Sequence, residues 1–514
     1  MNSKKNENTP EKSTAWKVLQ CEVCGWIYDE EKGSPEEGLN AGTRWEEVPS
    51  DWTCPECLAS KADFVMVEIT TYEVTESDLK WRKPTEDSRF DNQPIVIIGT
   101  GLAGYDLIKQ LREQGDTSEV IMITADDGDY YPKPVISHGI SQNRSAGDIT
   151  RASAAEMATK YSVQILTQTQ VQAIATREQQ LEFVNSQQQV QHQGYRKLVL
   201  ATGARCIVPP FDGSGQDKIY QINNLDDYTR FKDALEGKQR VLVIGGGLIG
   251  CEYANDLATA GKEVTVVEAL EAPLASLLPK EASDAVREGL EAAGISFHFG
   301  SLAKQVDNTD DSAVEGVMVT LDNGDKLEAD LVLVAIGVQP NLDLARQAGL
   351  NTNRGIEVNR FLESSEINVF AIGDSAEVQG MVLPFVMPLT AQVRALARTL
   401  VELNTEVEYG VMPVHVKTPA VPIIFYCAPS EEFAHWEVER KGSHCKALCK
   451  TASGRLLGIA LTGDYVEQKN NYMRLLPPII GENFILPNDK ETPDSFYRRP
   501  QGLLETLSHT WWGA

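Results

Sequence analysis

The chain has 514 residues and a formal charge of −27, with 42% apolar and 24% charged residues. That length implies three or four domains, the composition is that of a globular protein, and the negative balance argues against a nucleic-acid binder, which needs basic patches. No apolar run approaches the roughly 20 residues a membrane helix needs, and the polar opening "MNSKKNENTPEKSTA" lacks the apolar region of a secretory signal, so a cytoplasmic location is expected.

Residues 1–15 read as a disordered tip. Residues 16–68 hold two Cys-x2-Cys pairs, "CEVC" and "CPEC", among the aromatics Trp16, Trp26, Tyr28, Trp45, Trp52 and Phe64. In a reducing compartment such pairs read as metal ligands or redox thiols. A tetrahedral four-sulfur site holds zinc or iron, and the spacing of Cys21, Cys24, Cys54 and Cys57 alone does not separate the two. Taken by itself the pattern is more often a zinc ribbon. Residues 69–93 are polar and without periodicity; as a flexible linker of this length they would reach about 25–30 Å.

"PIVIIGTGLAGYDLIKQLREQG" from Pro94 predicts a strand, a glycine turn and an amphipathic helix, and "RVLVIGGGLIGCEYANDLATAGKEVTVVE" from Arg240 repeats the design. Two such units predict two doubly wound α/β domains. The first loop is Gly99, Thr100, Gly101, Leu102, Ala103 and Gly104. Its first glycine permits the tight turn, the second lets the backbone approach a pyrophosphate, and the third lets helix and strand pack closely. The helix N-terminus adds free N–H donors and a positive dipole end. In the second loop Gly245, Gly247 and Gly250 hold the same places, and Glu268 ends the following strand. An acidic side chain there accepts from the ribose hydroxyls and repels a 2′-phosphate, and no arginine follows it, which favours NADH over NADPH. Two dinucleotide sites in one chain usually mean a flavin and a nicotinamide, because the flavin takes hydride from the nicotinamide.

"LVLATGA" (198–204) and "LVLVAIGVQPN" (331–341), the latter with Gly337, read as strands ending in glycine at the edges of the nucleotide domains. "INVFAIGD" ends in Asp374, a carboxylate suited to a flavin ribityl hydroxyl. A helical stretch then runs to about Leu403, followed by the strand-like "MPVHVKTPAVPIIFY", a small mixed domain to about Ile480, and a tail ending in Trp511 and Trp512.

Over about residues 94–400 these features resemble the two-dinucleotide flavoproteins that include disulfide reductases and ferredoxin reductases. The disulfide reductases carry a Cys-x4-Cys pair soon after the first glycine loop; here no cysteine lies between Gly104 and Tyr195. Cys206 and Cys251 match no redox spacing and read as small buried fillers. Cys445 and Cys449, beside His444, read as incidental to any metal. Without a dithiol relay, electrons must leave the flavin for an outside acceptor. Where the pair would stand, "ITADDGDYYPKPVISHG" sets Lys133 between two prolines that fix its backbone, and a lysine there would steady negative charge on the reduced flavin. This stretch, with "GTGLAG", "GLIGCEYANDL", "VMPL" and "MPVHVKTPA", closely resembles bacterial rubredoxin reductases from about Pro94 to about Ile480. The resemblance implies further flavin contacts: Thr124 and Ala125 near the adenosine, and Val171, Glu252, Val386 and Lys417. A cation at Lys417 near the pyrimidine end of the ring favours the anionic reduced form, and Glu252 follows the second glycine loop on its helix. Lys133, Glu252 and Lys417 are the candidate catalytic residues.

The N-terminal segment is itself similar to a rubredoxin throughout, in "GWIYD", "GLNAGTRWEEVPSDW", "DWTCP" and "KADF". That likeness, together with the adjoining reductase, implies one iron on Cys21, Cys24, Cys54 and Cys57. One residue departs from the pattern: Leu58 stands where rubredoxins usually have glycine, and in a left-handed conformation a leucine costs about 1–2 kcal/mol.

The expected architecture is α/β. A disordered N-terminus (1–15) precedes a rubredoxin-like iron-binding domain (16–68) and a linker (69–93). A Rossmann-like FAD-binding domain (94–215 and 331–405) and a Rossmann-like NAD-binding domain (216–330) follow, then a small C-terminal α+β docking domain (406–480) and a tail (481–514). The expected activity is an FAD-dependent NADH:rubredoxin reductase that reduces its own fused rubredoxin and, through it, an external acceptor such as an alkane hydroxylase or a diiron oxygen or nitric oxide reductase. The alternative is a flavin reductase with a structural zinc ribbon as a binding module. Residues 16–68 carry twelve acids against four lysines and arginines, while 410–480 carry eight lysines and arginines against six acids. That contrast makes the C-terminal domain the expected dock for the acidic module, with Lys446 and Lys450 the cations whose reversal to Glu should slow the transfer.

Overall fold

The computed structural model describes residues 16–21, 23–66, 90–309, 316–428 and 434–480. The expected N-terminal tip, the linker up to residue 89 and the tail with Trp511 and Trp512 lie outside them. The chain divides into two compact units, Met1–Glu73 and Val74–Ala514.

The small unit has a three-stranded antiparallel sheet in the order Ile27–Asp29, Val18–Cys21, Phe64–Met66, with Leu19 opposite Tyr28 and Gln20 opposite Val65. Short 3-10 turns at Pro35–Glu37, Trp45–Glu47 and Lys61–Asp63 fold the rest of the chain over it. So few residues cannot bury much aliphatic surface. Aromatics supply the core instead: Trp26, Tyr28, Trp45, Trp52 and Phe64 form a continuous cluster with ring centroids 4.9–6.5 Å apart, and each such pair adds about 0.5–1.5 kcal/mol beyond burial. Glu30 is fully buried beside them. Its carboxylate accepts from the Lys17 and Trp45 N–H groups at 2.9 and 2.8 Å and from the Arg44 guanidinium at 2.8 Å, so the buried charge is satisfied on every side.

The large unit is built on two five-stranded parallel sheets. The first runs Val369–Ala371, Lys197–Leu200, Ile95–Ile98, Val120–Ile123, Gln164–Leu166. The second runs Ile219–Tyr220, Leu331–Val334, Arg240–Ile244, Glu263–Glu268, Ser296–Phe299. Their inner strands are mostly apolar because both faces of each sheet are covered. In each sheet the strand order reverses at the strand that opens a glycine loop, Ile95–Ile98 and Arg240–Ile244, which puts both loops at topological switch points. The glycine-ending strands Lys197–Leu200 and Leu331–Val334 lie one place in from the edge of their sheets. A parallel strand buried on both faces is uniformly apolar, and such a run does not reveal its rank in the sheet.

Each parallel sheet carries a three-stranded antiparallel companion, Gln170–Gly194 and Ala303–Ala329. The chain leaves the first sheet through Ala204–Cys206 and returns through Val338–Pro340, and these two segments pair antiparallel as a two-stranded ribbon. The helix Val386–Leu400 closes this part. A five-stranded antiparallel sheet follows, in the order Val414–Val416, Ile423–Cys427, Leu456–Thr462, His444–Thr451, Ala434–Lys441.

Candidate dinucleotide, flavin and metal sites

In the small unit each cysteine pair closes a turn of the same design. Gly25 N–H donates to Cys21 O at 2.8 Å and Leu58 N–H to Cys54 O at 2.9 Å, while Cys21 and Cys54 N–H donate to Trp26 O and Ala59 O, both at 2.8 Å. Both turns end in the left-handed region, at φ 78° for Gly25 and 61° for Leu58, so the leucine does take the strained conformation. The four buried Sγ atoms lie within 4.8 Å of one another, with Cys21–Cys57 at 3.6 Å and Cys24–Cys54 at 3.5 Å. A tetrahedron with metal–sulfur bonds of about 2.3 Å has edges near ~3.8 Å, so the donor set fits one thiolate-bound metal. Among the described residues no other group of three or more His, Cys, Asp or Glu gathers this way. The neighbouring thiols push the Cys24 pKa up, and burial does the same to Cys54, an arrangement that a cation relieves.

The two glycine loops match position by position. Gly99 and Gly245 have φ 114° and 108°. A Cβ on them would lie 2.2 Å from Ala201 O and 2.6 Å from Ala335 O. A Cβ on Gly104 or Gly250 would lie 2.1 or 1.9 Å from the carbonyl of that first glycine, whereas one on Gly101 or Gly247 meets nothing within 4 Å. Gly101 and Gly247 are also the N-caps of helices Leu102–Glu113 and Leu248–Thr259, and neither helix has a side-chain cap. First-turn N–H groups facing open space beside a bare backbone fit a pyrophosphate. Thr100 and Ala103 are buried between these points. Glu268 accepts from Gly246 N–H at 2.5 Å and Leu270 N–H at 2.8 Å, which places its carboxylate at the mouth of the second loop.

Around the first loop, Thr124 is buried at the end of strand Val120–Ile123 and Ala125 is exposed beside it. Thr169 N–H donates to Thr124 O at 2.8 Å, bringing in the segment that leads to the buried Val171. Asp374 lies in the 3-10 turn Gly373–Ser375, and a Cβ on Gly373 would be 3.2 Å from that of Ala103, so this carboxylate belongs to the first loop's surroundings. Burial pushes the Asp374 pKa up, against the pull of Lys133. Gly373 N–H is held by Gln392, whose amide also donates to Tyr409 Oη. Val386 opens helix Val386–Leu400, and Gly337, at φ 118°, precedes the returning ribbon strand.

The three candidate catalytic residues meet around one 3-10 turn, Lys133–His138. Lys133 begins it, and its ammonium donates to Asn223 Oδ1 at 2.9 Å. Near its end Ser137 Oγ donates to Glu252 Oε2 at 2.6 Å and accepts from Lys417 Nζ at 3.1 Å. Lys417 Nζ also donates to Pro134 O and lies 3.4 Å from Glu252 Oε2, and the Lys417 N–H donates to Glu252 Oε1 at 3.0 Å. One helical turn beyond Glu252, Asp256 accepts from Ile140 N–H at 2.9 Å and from Ser141. Burial, with the Lys417 charge, pushes His138 down to about 4, so it is neutral. Sequence reasoning missed Ser137, Asn223, Asp256 and Gln392. Of these only Asp256 left a signal, as a second acid four residues after Glu252 in a mostly apolar helix.

None of the remaining cysteines joins the four-sulfur cluster, although Cys251 Sγ donates to Gly246 O at 3.3 Å in the second glycine loop. Cys251 is buried, as expected, and Cys206 is only half-buried. Cys445 and Cys449 point to the buried face of strand His444–Thr451, and His444 Nδ1 accepts from Asp464 N–H at 3.0 Å. Lys446 and Lys450 are not free cations. On the same sheet they pair with Glu439 and Glu437, both at 2.5 Å. A count of charges along the sequence cannot see this cross-strand pairing.

Three family models match the chain: pyridine nucleotide-disulphide oxidoreductase over residues 93–394, rubredoxin over 18–64 and rubredoxin binding C-terminal domain over 406–476. The rubredoxin-NAD(+) reductase of Alcanivorax borkumensis is 44% identical over 388 residues, covering 75% of this chain and 99% of the relative. A nitric oxide reductase FlRd-NAD(+) reductase of Escherichia coli is 35% identical over 385 residues, covering 74% and 99%. Similar folds occur in a covalent putidaredoxin reductase–putidaredoxin complex, with a TM-score of 0.67 at 23% identity over 75% of this chain and 94% of that one. The NADH:rubredoxin oxidoreductase of Clostridium acetobutylicum gives 0.60 at 21% over 79% and 98%. With two bare-backbone pyrophosphate cradles and no dithiol between Gly104 and Tyr195, the chain belongs to the pyridine nucleotide-disulphide oxidoreductase family as an FAD-dependent, NADH-using reductase that carries its own rubredoxin domain.

Proposed function

We propose that this reductase oxidises NADH, reduces the iron of its own rubredoxin domain and supplies single electrons to an external acceptor. The observation that carries this reading is the four-sulfur cluster in a chain whose reductase part has two complete nucleotide loops and no cysteine pair between Gly104 and Tyr195. Bound FAD would take a hydride and give up its electrons singly, which reconciles a two-electron donor with a one-electron metal.

The chain's own residues prepare that exchange. Gly99, Thr100, Gly101, Leu102, Ala103 and Gly104 would cradle the FAD pyrophosphate, Thr124, Ala125 and Val171 its adenosine end, and Asp374 and Val386 its ribityl and ring ends. Gly245, Gly247, Gly250 and Gly337 would shape the nicotinamide nucleotide site, with Glu268 accepting from the ribose hydroxyls. Lys133 and Lys417 would hold positive charge against the reduced ring, and Glu252 would fix Lys417 there. The expected boundaries, with FAD binding in 94–215 and 331–405, NAD binding in 216–330 and docking in 406–480, belong to this reading. So does a cytoplasmic setting; among the described residues no helix is long and apolar enough to cross a membrane.

The acceptor in this reading is an alkane hydroxylase or a diiron enzyme reducing oxygen or nitric oxide. Relatives named for a nitric oxide reductase FlRd favour the latter. The test is rapid mixing of the full chain with NADH, following flavin bleaching and loss of the red ferric four-sulfur colour, beside metal analysis. Flavin bleaching followed by iron bleaching at a rate independent of protein concentration is the expected outcome. A colourless, zinc-loaded protein that still bleaches its flavin would overturn the reading.

A further inference from the structure

We infer that Ser137 is a positioning residue that orients the Lys417 ammonium toward the flavin and limits how closely it pairs with Glu252. The inference rests on the reading of Lys417 as the cation beside the reduced flavin. It adds a residue to which nothing in the sequence pattern gives a role.

The geometry is directional. Ser137 is buried, with only 5% of its surface exposed. Its one hydrogen goes to Glu252 Oε2 at 2.6 Å, so a lone pair is left for Lys417 Nζ at 3.1 Å. The hydroxyl therefore stands beside acid and base and bonds to both, and the direct Nζ–Oε2 separation is 3.4 Å, longer than either leg through the serine. A second acceptor, Pro134 O, holds the ammonium from the same 3-10 turn. The other carboxylate oxygen is occupied by the Lys417 backbone N–H at 3.0 Å, so Glu252 cannot swing away. Remove the hydroxyl and two responses are open. The ammonium closes directly on the carboxylate, or it leaves for the space the hydroxyl vacated. In both, less positive charge remains for a reduced flavin, so both move the flavin potential the same way. In a buried setting such charge-assisted bonds are about twice as strong as neutral ones.

The experiment measures the flavin midpoint potential of the FAD-loaded full chain by spectroelectrochemistry in wild type, Ser137→Ala, Ser137→Thr, Lys417→Gln and the double variant Ser137→Ala/Lys417→Gln. Flavin content and melting temperature are recorded for each. Ser137→Ala should lower the preference for reduced over oxidised flavin roughly tenfold, about 30 mV for a two-electron couple. Ser137→Thr, which keeps the hydroxyl, should restore most of it. In the Lys417→Gln background Ser137→Ala should shift nothing further, because the two act as one unit. If Lys417→Gln leaves the potential unchanged, the reading of Lys417 fails. If Lys417→Gln shifts it and Ser137→Ala does not, or if the two shifts add, the inference about Ser137 fails while that reading stands.

Discussion

The two units of this chain reach stability by different means. The large one buries apolar strands in two parallel sheets, and its glycine loops are shaped chiefly by close backbone packing. The small one has three short strands, an aromatic cluster and four sulfurs gathered closely enough for one cation. A sheet core is self-sufficient, whereas a sulfur core is completed by what it binds. The same contrast recurs in miniature between the two cysteine turns, which share their hydrogen bonds and differ in the residue that closes them, Gly25 or Leu58.

The largest effect should come from removing the metal. Stripping it by acid and chelator should unfold the small unit alone, since metal binding in such sites is worth on the order of 10 kcal/mol of folding. Tryptophan side-chain NMR signals of Trp26, Trp45 and Trp52 should collapse while those of the flavin-loaded unit persist; unchanged dispersion would contradict the contrast. Next comes Gly104→Ala in the large unit. Its Cβ would sit 2.1 Å from Gly99 O, and overpacking of this kind costs about 1–3 kcal/mol or more. The purified protein should lose flavin, as read at 450 nm. Gly101→Ala, whose Cβ meets nothing within 4 Å, should retain the wild-type melting temperature of the flavin-free protein.

A third test probes a polar tie within the self-sufficient unit. Asp330 accepts from the Gln239 and Arg240 N–H groups at 2.7 and 2.8 Å and from the Arg240 guanidinium at 2.9 Å. Burial pushes its pKa up, but those N–H groups and the guanidinium outweigh it and hold the carboxyl below the usual range. A depressed folded pKa gives stability that is full above the unfolded value of about 4 and lost as pH falls through the folded one. Asp330→Asn should therefore cost about 1.5–3 kcal/mol at neutral pH, and urea melts should show the gap closing in acid. The smallest effect is Leu58→Gly. Release of about 1–2 kcal/mol of left-handed strain, less the up to ~1 kcal/mol that glycine's freedom costs, should raise the denaturant midpoint for loss of the iron colour slightly. Gly25→Leu should lower it.

Much of this was legible in the chain. Glycine spacing encodes a backbone shape, so Gly99 to Gly104 and Gly245 to Gly250 could be placed without coordinates, and four cysteines in two pairs encode their own cluster. Leu58 stood out because only glycine enters that conformation freely. The polar ties did not announce themselves. Ser137 meets Glu252 across 115 residues and Lys417 across 280, and Lys133 finds Asn223 across 90. Such partners are set by how sheets pack, which leaves no periodic trace. The pairs made by Lys446 and Lys450 were hidden for the same reason, because their partners lie across a hairpin.

The ribbon formed by Ala204–Cys206 and Val338–Pro340 carries a mechanical consequence. Everything between those strands leaves and re-enters the first sheet at one place, with Asn341 and Thr202 cross-bonded at its root, Asn341 Nδ2 to Thr202 O at 2.8 Å. A single strand would act as a swivel. Two strands laced together resist that twist. The inserted segment, its ends adjacent, is a cassette by connectivity, and its Glu252 and Asp256, bonded to Ser137 and to the Ile140 N–H, fix whatever nucleotide it carries in one presentation to the rest of the unit.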